Sequence, residues 1–394
     1  MNVKDFEKFT AGRLLLSPRG YYAFVPNALP KEIKFTGSDM LKLIADAERT
    51  LGRLGGIGYL VPNPDFLVIP YTRREAVASS RIEGTQASLS ELFYFEAETE
   101  KPAPTIDLLE VKNYLAALNH GIALLNTLPL ILRLVREVHQ QLMTGVRGGT
   151  PDKTPGEFRT SQNWIGGSNL KDATYVPPSP EELNHTLGDW EKFLNDRDTN
   201  LPLLVQCALL HYQFEAIHPF LDGNGRVGRL MIVLFLIERK ALPYPLLYLS
   251  DYFERHRQEY YELLLRVSQL GDWESWVRFF LRGVIQQGED AIGSARRIVD
   301  QREAYRRDLQ ERKASASVLA LLDLVFINPY LNVPLATQRL GVSYPTAQAA
   351  IRQLEDAKIL EEITGQRRNR TYVARQLLHL LDENEPIYTP KKAP

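Results

Sequence analysis

The segment HPFLDGNGRVGR, residues 218–229, carries the strongest structural signal in this chain. It follows the apolar helical pattern LLVQCALLHYQFEAI, and Pro219 ends regular helix there because its ring cannot continue the hydrogen-bond ladder. Asp222-Gly-Asn-Gly225 forms a tight turn, and the next helical pattern begins at Arg226. The segment therefore predicts a glycine-rich turn at a helix N-terminus, where unpaired N–H groups and the helix dipole bind anions.

The side chains of this segment are those expected around a phosphate group. Arg226 and Arg229 are three positions apart and share a helix face, and the planar guanidinium suits phosphate oxygens. Asp222 is the one acid of the turn, and an acid among phosphate-binding groups usually holds Mg²⁺. His218 is the candidate general base near neutral pH. A plain helix connection, with Asp or Asn capping the second helix, would need only part of this set.

On both sides of this segment the sequence predicts mostly helices. Apolar residues recur at three- and four-residue spacing from 107 to 270, except in a turn-rich stretch at 145–180. Residues 17–70 are crowded with glycine, proline and aromatic residues, which predicts loops and short helices there. Helix begins again near Arg73 and stops at Gly84. Because strand-like alternation is scarce, the predicted fold class of the core is all-α.

The last quarter of the chain has a different pattern. A long, charged helix leads into it and includes a connecting helix at 286–313. Three helical patterns follow, then two short strand-like runs around GQRRNR at 365–370. This order is typical of a winged helix-turn-helix, so a small α+β winged-helix domain is predicted at 314–380.

Composition sets further limits on the class of protein. The chain has 394 residues, too many for one compact core, and its 44% hydrophobic and 24% charged residues are ordinary for a globular protein. A formal net charge of −1 gives no bulk argument for nucleic acid or membrane binding. The single cysteine, Cys207, excludes an intramolecular disulfide. No secretory signal is apparent and no apolar run could span a bilayer, so no membrane association and a cytoplasmic location are expected.

The segment at 218–229 resembles, position for position, the HPFxDGNGRxxR signature of Fic-domain proteins, most of which transfer AMP from ATP to proteins. The resemblance implies that His218 deprotonates a Tyr, Ser or Thr hydroxyl of a target protein. That hydroxyl would attack the α-phosphate and displace pyrophosphate. Phe220 would anchor the loop, and Asp222 would hold Mg²⁺. The phosphates would be bound by Gly223, Asn224, Gly225, Arg226 and, at the γ-phosphate, Arg229.

The resemblance also implies an inhibitory helix. The family's helical core corresponds to residues 105–285, which leaves an N-terminal region at 1–104. That region contains SSRIEG at 79–84, which is similar to the inhibitory motif [S/T]xxxE[G/N]; alone, it would be an ordinary helix end. In the Fic context, Glu83 would pair with Arg229 and occupy the seat of the γ-phosphate. Ser79 would help to place this helix, at about 73–84, by hydrogen bonding.

Two further sites follow from the same resemblance. Roughly residues 165–176 would form a β-hairpin flap whose edge aligns a target segment by strand pairing, although alone this stretch would be a surface loop. On the helix at 255–270, Tyr261 and Leu264 would line the adenine pocket. Ser268 stands about where some relatives have an asparagine, and aromatic residues at helical spacing are commonly part of a core.

The main prediction is an autoinhibited protein adenylyltransferase that uses ATP and Mg²⁺ and modifies a target protein and itself. Gly225 argues against the kinase-like branch of the family, in which a lysine replaces this glycine. Phosphocholine transfer remains open, as does removal of AMP with Glu83 positioning a water molecule.

An alternative is a DNA-binding or docking regulator whose Fic core senses nucleotide. Residues 314–375 contain seven Lys and Arg against five Asp and Glu, which is weakly basic for a DNA footprint. A homodimer or target-docking module is therefore at least as well supported. The cations that could reach phosphates are Arg352, Arg367, Arg368 and Arg370.

Overall fold

The structure is a computed structural model that describes residues 1–6, 10–60, 63–98, 103–366, 368–382 and 386–389. Its first half contains an antiparallel hairpin and a series of helices: β1 (Gly12–Leu16), β2 (Tyr22–Pro26), α1 (Met40–Leu60), α2 (Asp65–Ile82), α3 (Leu89–Ala97), α4 (Ile106–Leu124), α5 (Leu132–Met143), α6 (Pro180–Asn195), α7 (Leu203–Ile217) and α8 (Asn224–Glu238).

The second half continues with helices and ends in a small sheet. Its elements are α9 (Ser250–Arg255), α10 (Arg257–Leu270), α11 (Trp273–Glu311), α12 (Ala316–Ile327), β3 (Tyr330–Asn332), α13 (Val333–Leu340), α14 (Tyr344–Asp356), β4 (Glu361–Glu362), β5 (Thr371–Val373) and α15 (Arg375–Leu381). The predicted class, a helical core followed by a small α+β unit, is confirmed. Within the described ranges, no helix combines the length and the apolar character that a membrane crossing requires.

Helices α7 and α8 form the centre of the core. Both are buried on nearly every side, because their sequences are apolar around the whole helix. Two buried tryptophans fasten neighbouring helices to α7: Trp190 of α6 donates to the Leu210 carbonyl at 3.0 Å, and Trp276 of α11 donates to the Ala208 carbonyl at 2.9 Å. Helix α7, which leads into the segment before α8, is therefore tied to both α6 and α11.

Helix α2 is fixed against this core by a buried acid. Glu75 accepts a hydrogen bond from Tyr114 Oη of α4 at 2.9 Å and one from the Ser250 N–H of α9 at 3.3 Å. Burial raises the pKa of Glu75 to about 7, although these donors act against the shift. The helix ends at Ile82, and Gly84 follows in the left-handed region at φ 98°, as its predicted role of stop signal requires. The C-terminal end of α2 is thereby set beside α8.

The prediction of loops and short helices at 17–70 is wrong for much of that range. Residues 40–60 form the 21-residue helix α1, and β1 and β2 pair in register from Gly12 with Pro26 to Leu16 with Tyr22. The helix contains Gly52, Gly55 and Gly56, which disfavour helix locally. Its buried side chains, among them Ala47, Leu51 and Leu54, pack against α11, and this tertiary contact outweighs the local preference.

The C-terminal elements pack directly against α2 and α3. Asn328 Nδ2 donates to the Phe93 carbonyl at 3.0 Å, Asn332 Nδ2 donates to the Ala97 carbonyl at 2.9 Å, and the Phe66 and Phe326 rings are 6.4 Å apart. The sheet is antiparallel, in the order β3-β5-β4. Helix α2, which ends just before Glu83, therefore also contacts this small C-terminal unit.

The predicted domain limits stay predictions. Helix α11 runs without interruption through the predicted boundary between 285 and 286. Residues 101–102, at the start of the predicted KPAPT linker before α4, and Arg367 of the predicted wing lie outside the described residues.

Candidate active site

His218 occupies a strained position at the end of α7. Its φ of 49° lies in the left-handed region, and its Nδ1 is 3.3 Å from the Glu215 carbonyl oxygen. Since a carbonyl can only accept, Nδ1 carries the proton, and the Nε2 lone pair remains available to a base. Burial, reinforced by the charge of Arg159, lowers the pKa of His218 to about 4. The imidazole is therefore neutral at physiological pH and able to accept a proton.

Arg159 holds the backbone on which His218 sits. This arginine is 2% exposed, and its guanidinium donates to the carbonyls of His218 at 2.9 Å, Pro178 at 2.5 Å and Ile217 at 3.3 Å. Its own N–H donates to the Pro219 carbonyl at 2.9 Å. Burial lowers the pKa of Arg159 to about 10, so the side chain stays charged at neutral pH. These contacts stabilise the positive φ at His218, a backbone conformation that glycine adopts readily but histidine does not.

Phe220 anchors the turn in the core, as the sequence predicts. Its ring is fully buried and stacks on the His139 imidazole, with ring centroids 3.7 Å apart. His139 Nδ1 accepts from the Gly156 N–H at 2.8 Å, so its Nε2 carries the proton and donates to the Asp222 carbonyl at 3.0 Å. The histidine thus supports the turn both under Phe220 and at Asp222.

Replacing Phe220 with alanine is expected to lower the free energy of unfolding by about 3–5 kcal/mol, the usual cost of truncating a buried phenylalanine. Urea denaturation followed by circular dichroism measures the change. Leu41→Ala is the matched control, because Leu41 is 79% exposed and its loss should change stability by less than about 0.5 kcal/mol. Equal stability of the two variants would contradict the anchoring role.

The side chain of Asn224 forms its hydrogen bonds within the turn. Its side chain is buried, with Oδ1 accepting from the Phe220 N–H and Nδ2 donating to the Phe220 carbonyl, both at 2.8 Å. Both polar atoms of the amide are used within the turn. The side chain therefore shapes the loop, and what Asn224 can offer a ligand is its backbone N–H, which lies in the first turn of α8.

The N-terminus of α8 presents groups suited to an anion. Gly223 precedes the helix at φ 78° and leaves it without a side-chain cap. Arg226 is buried, yet its Nε and Nη1 have no hydrogen-bond partner in the described part of the chain. A buried guanidinium with unsatisfied donors is costly, and a bound anion would remove that cost. The Asp222 carboxylate, 47% exposed, lies 3.8 Å from Arg226 Nη2.

Arg229 is bound to the end of α2. Its Nη2 donates to Glu83 Oε1 at 2.7 Å and to the Ser79 carbonyl at 2.9 Å, and its Nε donates to Ser79 Oγ at 2.8 Å. The Arg229 side chain is 1% exposed, whereas that of Glu83 is 34% exposed. Burial opposes the charge on Glu83, but the Arg229 guanidinium outweighs it and keeps the pKa of Glu83 below its ordinary value. The two predicted inhibitory residues are thus both in contact with the predicted γ-phosphate arginine.

One cavity connects these groups. It has a volume of about 630 Å³, and its lining includes Glu83, His218, Gly225 and Arg229. Its other walls include the predicted adenine residues Tyr261 and Leu264, together with Ser268. Asp222, Gly223, Asn224 and Arg226 are not part of its lining and lie on the adjoining turn.

Glu215 also lines this cavity, and the sequence analysis gave it no role. Its Oε1 is buried without a hydrogen-bond partner among the described residues. Burial raises the pKa of Glu215 to about 8, against the opposing charge of Arg229. At neutral pH the carboxyl is therefore mostly protonated, and it does not compete with Glu83 for the arginine.

The predicted flap is present in reduced form. Ile165 and Tyr175 form an antiparallel bridge, and Gly166 and Gly167 turn the chain at φ 70° and 71°. Trp164 and Ile165 are 40% and 37% exposed beside the cavity mouth. Tyr175 is buried and donates to the Ala216 carbonyl at 2.9 Å, which ties the segment to the end of α7.

The comparisons with known proteins agree with this geometry. A sequence model described as "Fic/DOC family N-terminal" matches residues 41–123, and one described as "Fic/DOC family" matches residues 129–236, which include most of α8. These two segments of the chain match the Fic/DOC family. A relative from Aedes aegypti, named protein adenylyltransferase Fic, is 34% identical over 149 residues, which cover 38% of this chain and 26% of the relative. One from Drosophila grimshawi with the same name is 32% identical over 158 residues, 40% of this chain and 29% of the relative.

The similarity covers only part of those relatives. This chain aligns with less than a third of the length of each of the two. Among solved structures, a Fic family protein from Desulfovibrio desulfuricans G20 has a TM-score of 0.57 and 21% identity, with 88% of this chain and 98% of that chain covered. That likeness supports the fold, including elements outside the matched family segments.

Proposed function

We propose that this chain transfers AMP from ATP to a hydroxyl group of a protein, itself included, and releases pyrophosphate. The observation that carries the proposal is the shared cavity, whose lining contains the neutral imidazole of His218 together with Arg229, Tyr261 and Leu264. A volume of about 630 Å³ is within the usual range for a small-molecule pocket. The names of the relatives agree with adenylyl transfer.

The reaction needs one base and groups that stabilise the negative charge that develops on the phosphates. Nε2 of His218 would accept the proton of the target hydroxyl, and the hydroxyl oxygen would form a bond to the α-phosphorus. The bond between that phosphorus and the oxygen leading to the β-phosphate would break, and pyrophosphate would leave. The protein's main contribution would be to position the groups and to stabilise charge, as in phosphoryl transfer generally.

The turn before α8 supplies the charge stabilisation. The N–H groups of Gly223, Asn224 and Gly225 belong to the start of the helix, where anions are favoured. Arg226 would direct its two unpartnered donors at phosphate oxygens. Arg229 would bind the γ-phosphate once it is free of Glu83.

Asp222 fits the requirement for Mg²⁺. The described residues contain no group of three or more His, Cys, Asp or Glu side chains arranged to hold a metal. Magnesium in nucleotide sites needs only one or two carboxylates, since phosphates and water complete its shell. The exposed Asp222 carboxylate at the turn meets that need. When bound, the ion would neutralise phosphate charge and favour departure of pyrophosphate.

The Glu83–Arg229 contact would hold the enzyme in a low-activity state. A carboxylate hydrogen-bonded to the γ-phosphate arginine takes the position of one phosphate, so nucleotide would bind in a pose unsuited to attack at the α-phosphate. Ser79 binds the same arginine through both its hydroxyl and its carbonyl, which fixes the register between α2 and α8.

The reaction class can be tested with ATP labelled at different phosphates. The Glu83→Gly chain, incubated with Mg²⁺ and α-labelled ATP, is expected to retain radioactivity on denaturing electrophoresis, whereas γ-labelled ATP should leave none. Omitting Mg²⁺ should remove the signal, and mass spectrometry should find the mass of one AMP added. Transfer of the γ-label instead would establish phosphate transfer and overturn the proposal.

A further inference from the structure

One exposed face of α14 has no part in the proposed AMP transfer. The helix buries Ala347, Ala350, Ile351 and Leu354 in the C-terminal unit. Its opposite face is open to solvent and carries Tyr344, Thr346, Ala349, Arg352 and Gln353. Apart from Tyr344, no large apolar side chain is exposed on this face.

The elements around α14 have the order and pairing of a winged helix-turn-helix. Gly341 ends α13 at φ 65°, and Ser343 caps α14 by accepting a hydrogen bond from the Thr346 N–H at 3.4 Å. Helix α12 and strand β3 precede this pair, and the β4–β5 hairpin follows it. The β3-β5-β4 order places the hairpin at the edge of the sheet, where its loop projects from the unit. This arrangement presents one helix and one hairpin for docking to a duplex.

The charges on this surface are more one-sided than the composition of the unit indicates. Two of its five acids are in ion pairs: Asp323 pairs with Arg302 at 2.7 Å, and Glu361 pairs with Arg375 at 2.5 Å. Glu355, Asp356 and Glu362 remain. Against them stand five exposed cations on α13, α14, the following turn and the hairpin: Arg339, Arg352, Lys358, Arg368 and Arg370.

We propose that this protein binds duplex DNA, with α14 in the major groove and the hairpin arginines on the sugar–phosphate backbone. A protein partner would call for an apolar patch at the centre of the interface, which this face lacks. Small side chains at Thr346 and Ala349 allow close approach to base edges, and Arg352 and Gln353 can form paired hydrogen bonds with them. Arg368 and Arg370 supply sequence-independent contacts.

Fluorescence anisotropy with a labelled duplex of random sequence tests the proposal on the full chain without nucleotide. Binding is expected at about 50 mM salt, and the logarithm of the association constant should fall linearly with the logarithm of salt concentration, with a slope of about −3 to −4 for three or four neutralised phosphates. The double variant Arg352→Glu/Arg368→Glu should bind at least tenfold more weakly.

A matched double variant controls for loss of net charge. Arg49 and Arg133 are exposed helical arginines elsewhere on the molecule, 66% and 70% exposed. Arg49→Glu/Arg133→Glu should bind the duplex as the parent does, and thermal melts should show both doubles to be folded. The proposal is overturned if the parent does not bind at low salt, or if both doubles lose affinity equally. Neither outcome would bear on AMP transfer, because the two surfaces share no residue.

Discussion

Replacing His218 with alanine is expected to reduce AMP transfer by at least a hundredfold, since a positioned general base contributes about 10²–10⁴ to the rate. The neutral imidazole of His218 lines the cavity beside Arg229 and can accept a proton. The change is best made in the Glu83→Gly background, so that the starting rate is high enough to measure the loss. Incorporation of α-labelled phosphate over time measures both rates.

Nucleotide binding should survive this change, because the imidazole makes no contact that the phosphates need in the ground state. Isothermal titration with ATP should therefore give dissociation constants within about threefold for the two proteins. His185→Ala is the matched control, since His185 is 70% exposed on α6 and outside the cavity. Transfer that persists in the His218 variant, or that falls equally in the control, would exclude His218 as the base.

The turn proposed to be catalytic could be predicted because its sequence pattern is local. Residues 218–229 contain the helix stop, the turn glycines and the two arginines proposed to bind phosphate in one uninterrupted run. The Glu83–Arg229 contact spans 146 positions, and only the resemblance to an inhibitory motif linked the two. The fold brings the Glu83 and Arg229 side chains within hydrogen-bond distance.

The residues that support the turn could not be found in this way. Arg159 binds three carbonyls around His218, and His139 binds the Asp222 carbonyl, but neither has a local sequence pattern that points to its partner. The resemblance implied that Asn224 contacts the phosphates, and that role stays a prediction. Its amide pairs with the backbone of Phe220 four positions earlier. Such backbone contacts depend on the path of the chain and not on residue type.

The secondary-structure elements also divide into those that a local sequence pattern predicted and those that it did not. Helices with a continuous apolar stripe, such as α5, were predicted from their spacing. Helix α1 was missed because its glycines and the surrounding prolines and aromatic residues indicate turns, while its stability comes from α11, more than 200 positions away. The β1–β2 hairpin lies in the same poorly patterned region. Long-range packing, which no local window contains, decided both elements.

Arg229 has two competing anionic partners in the proposed mechanism. The Glu83 carboxylate contacts it at 2.7 Å in the structure, and the γ-phosphate of ATP would need the same guanidinium. Two anions beside one buried arginine would repel each other. Binding of the γ-phosphate to Arg229 therefore depends on the free energy of withdrawing Glu83. Its side chain is a third exposed and stands at the end of a helix, which makes such withdrawal feasible without opening the core.

The substitution Glu83→Gly is accordingly expected to raise AMP transfer and self-labelling by at least tenfold, because removing a block of about 1.4 kcal/mol or more accelerates the reaction by that factor. Glycine is expected to be well tolerated here, since Glu83 is the C-cap residue that follows the last residue of α2. Initial rates with α-labelled ATP measure the change. The double variant Glu83→Gly/His218→Ala should return to background, which ties the gained activity to the proposed base.

One further variant separates the charge of Glu83 from its size, and a second is a control for the introduction of glycine. Glu83→Gln keeps the shape but loses the ion pair and should activate nearly as well, whereas Gln86→Gly, at an exposed position three residues further on, should leave the rate unchanged. If Glu83→Gln stays as slow as the parent, the inhibition would not be due to the charge pair. If Glu83→Gly is not faster than the parent, the inhibitory role of Glu83 is excluded. The proposed roles of His218 and of the turn before α8 are tested separately.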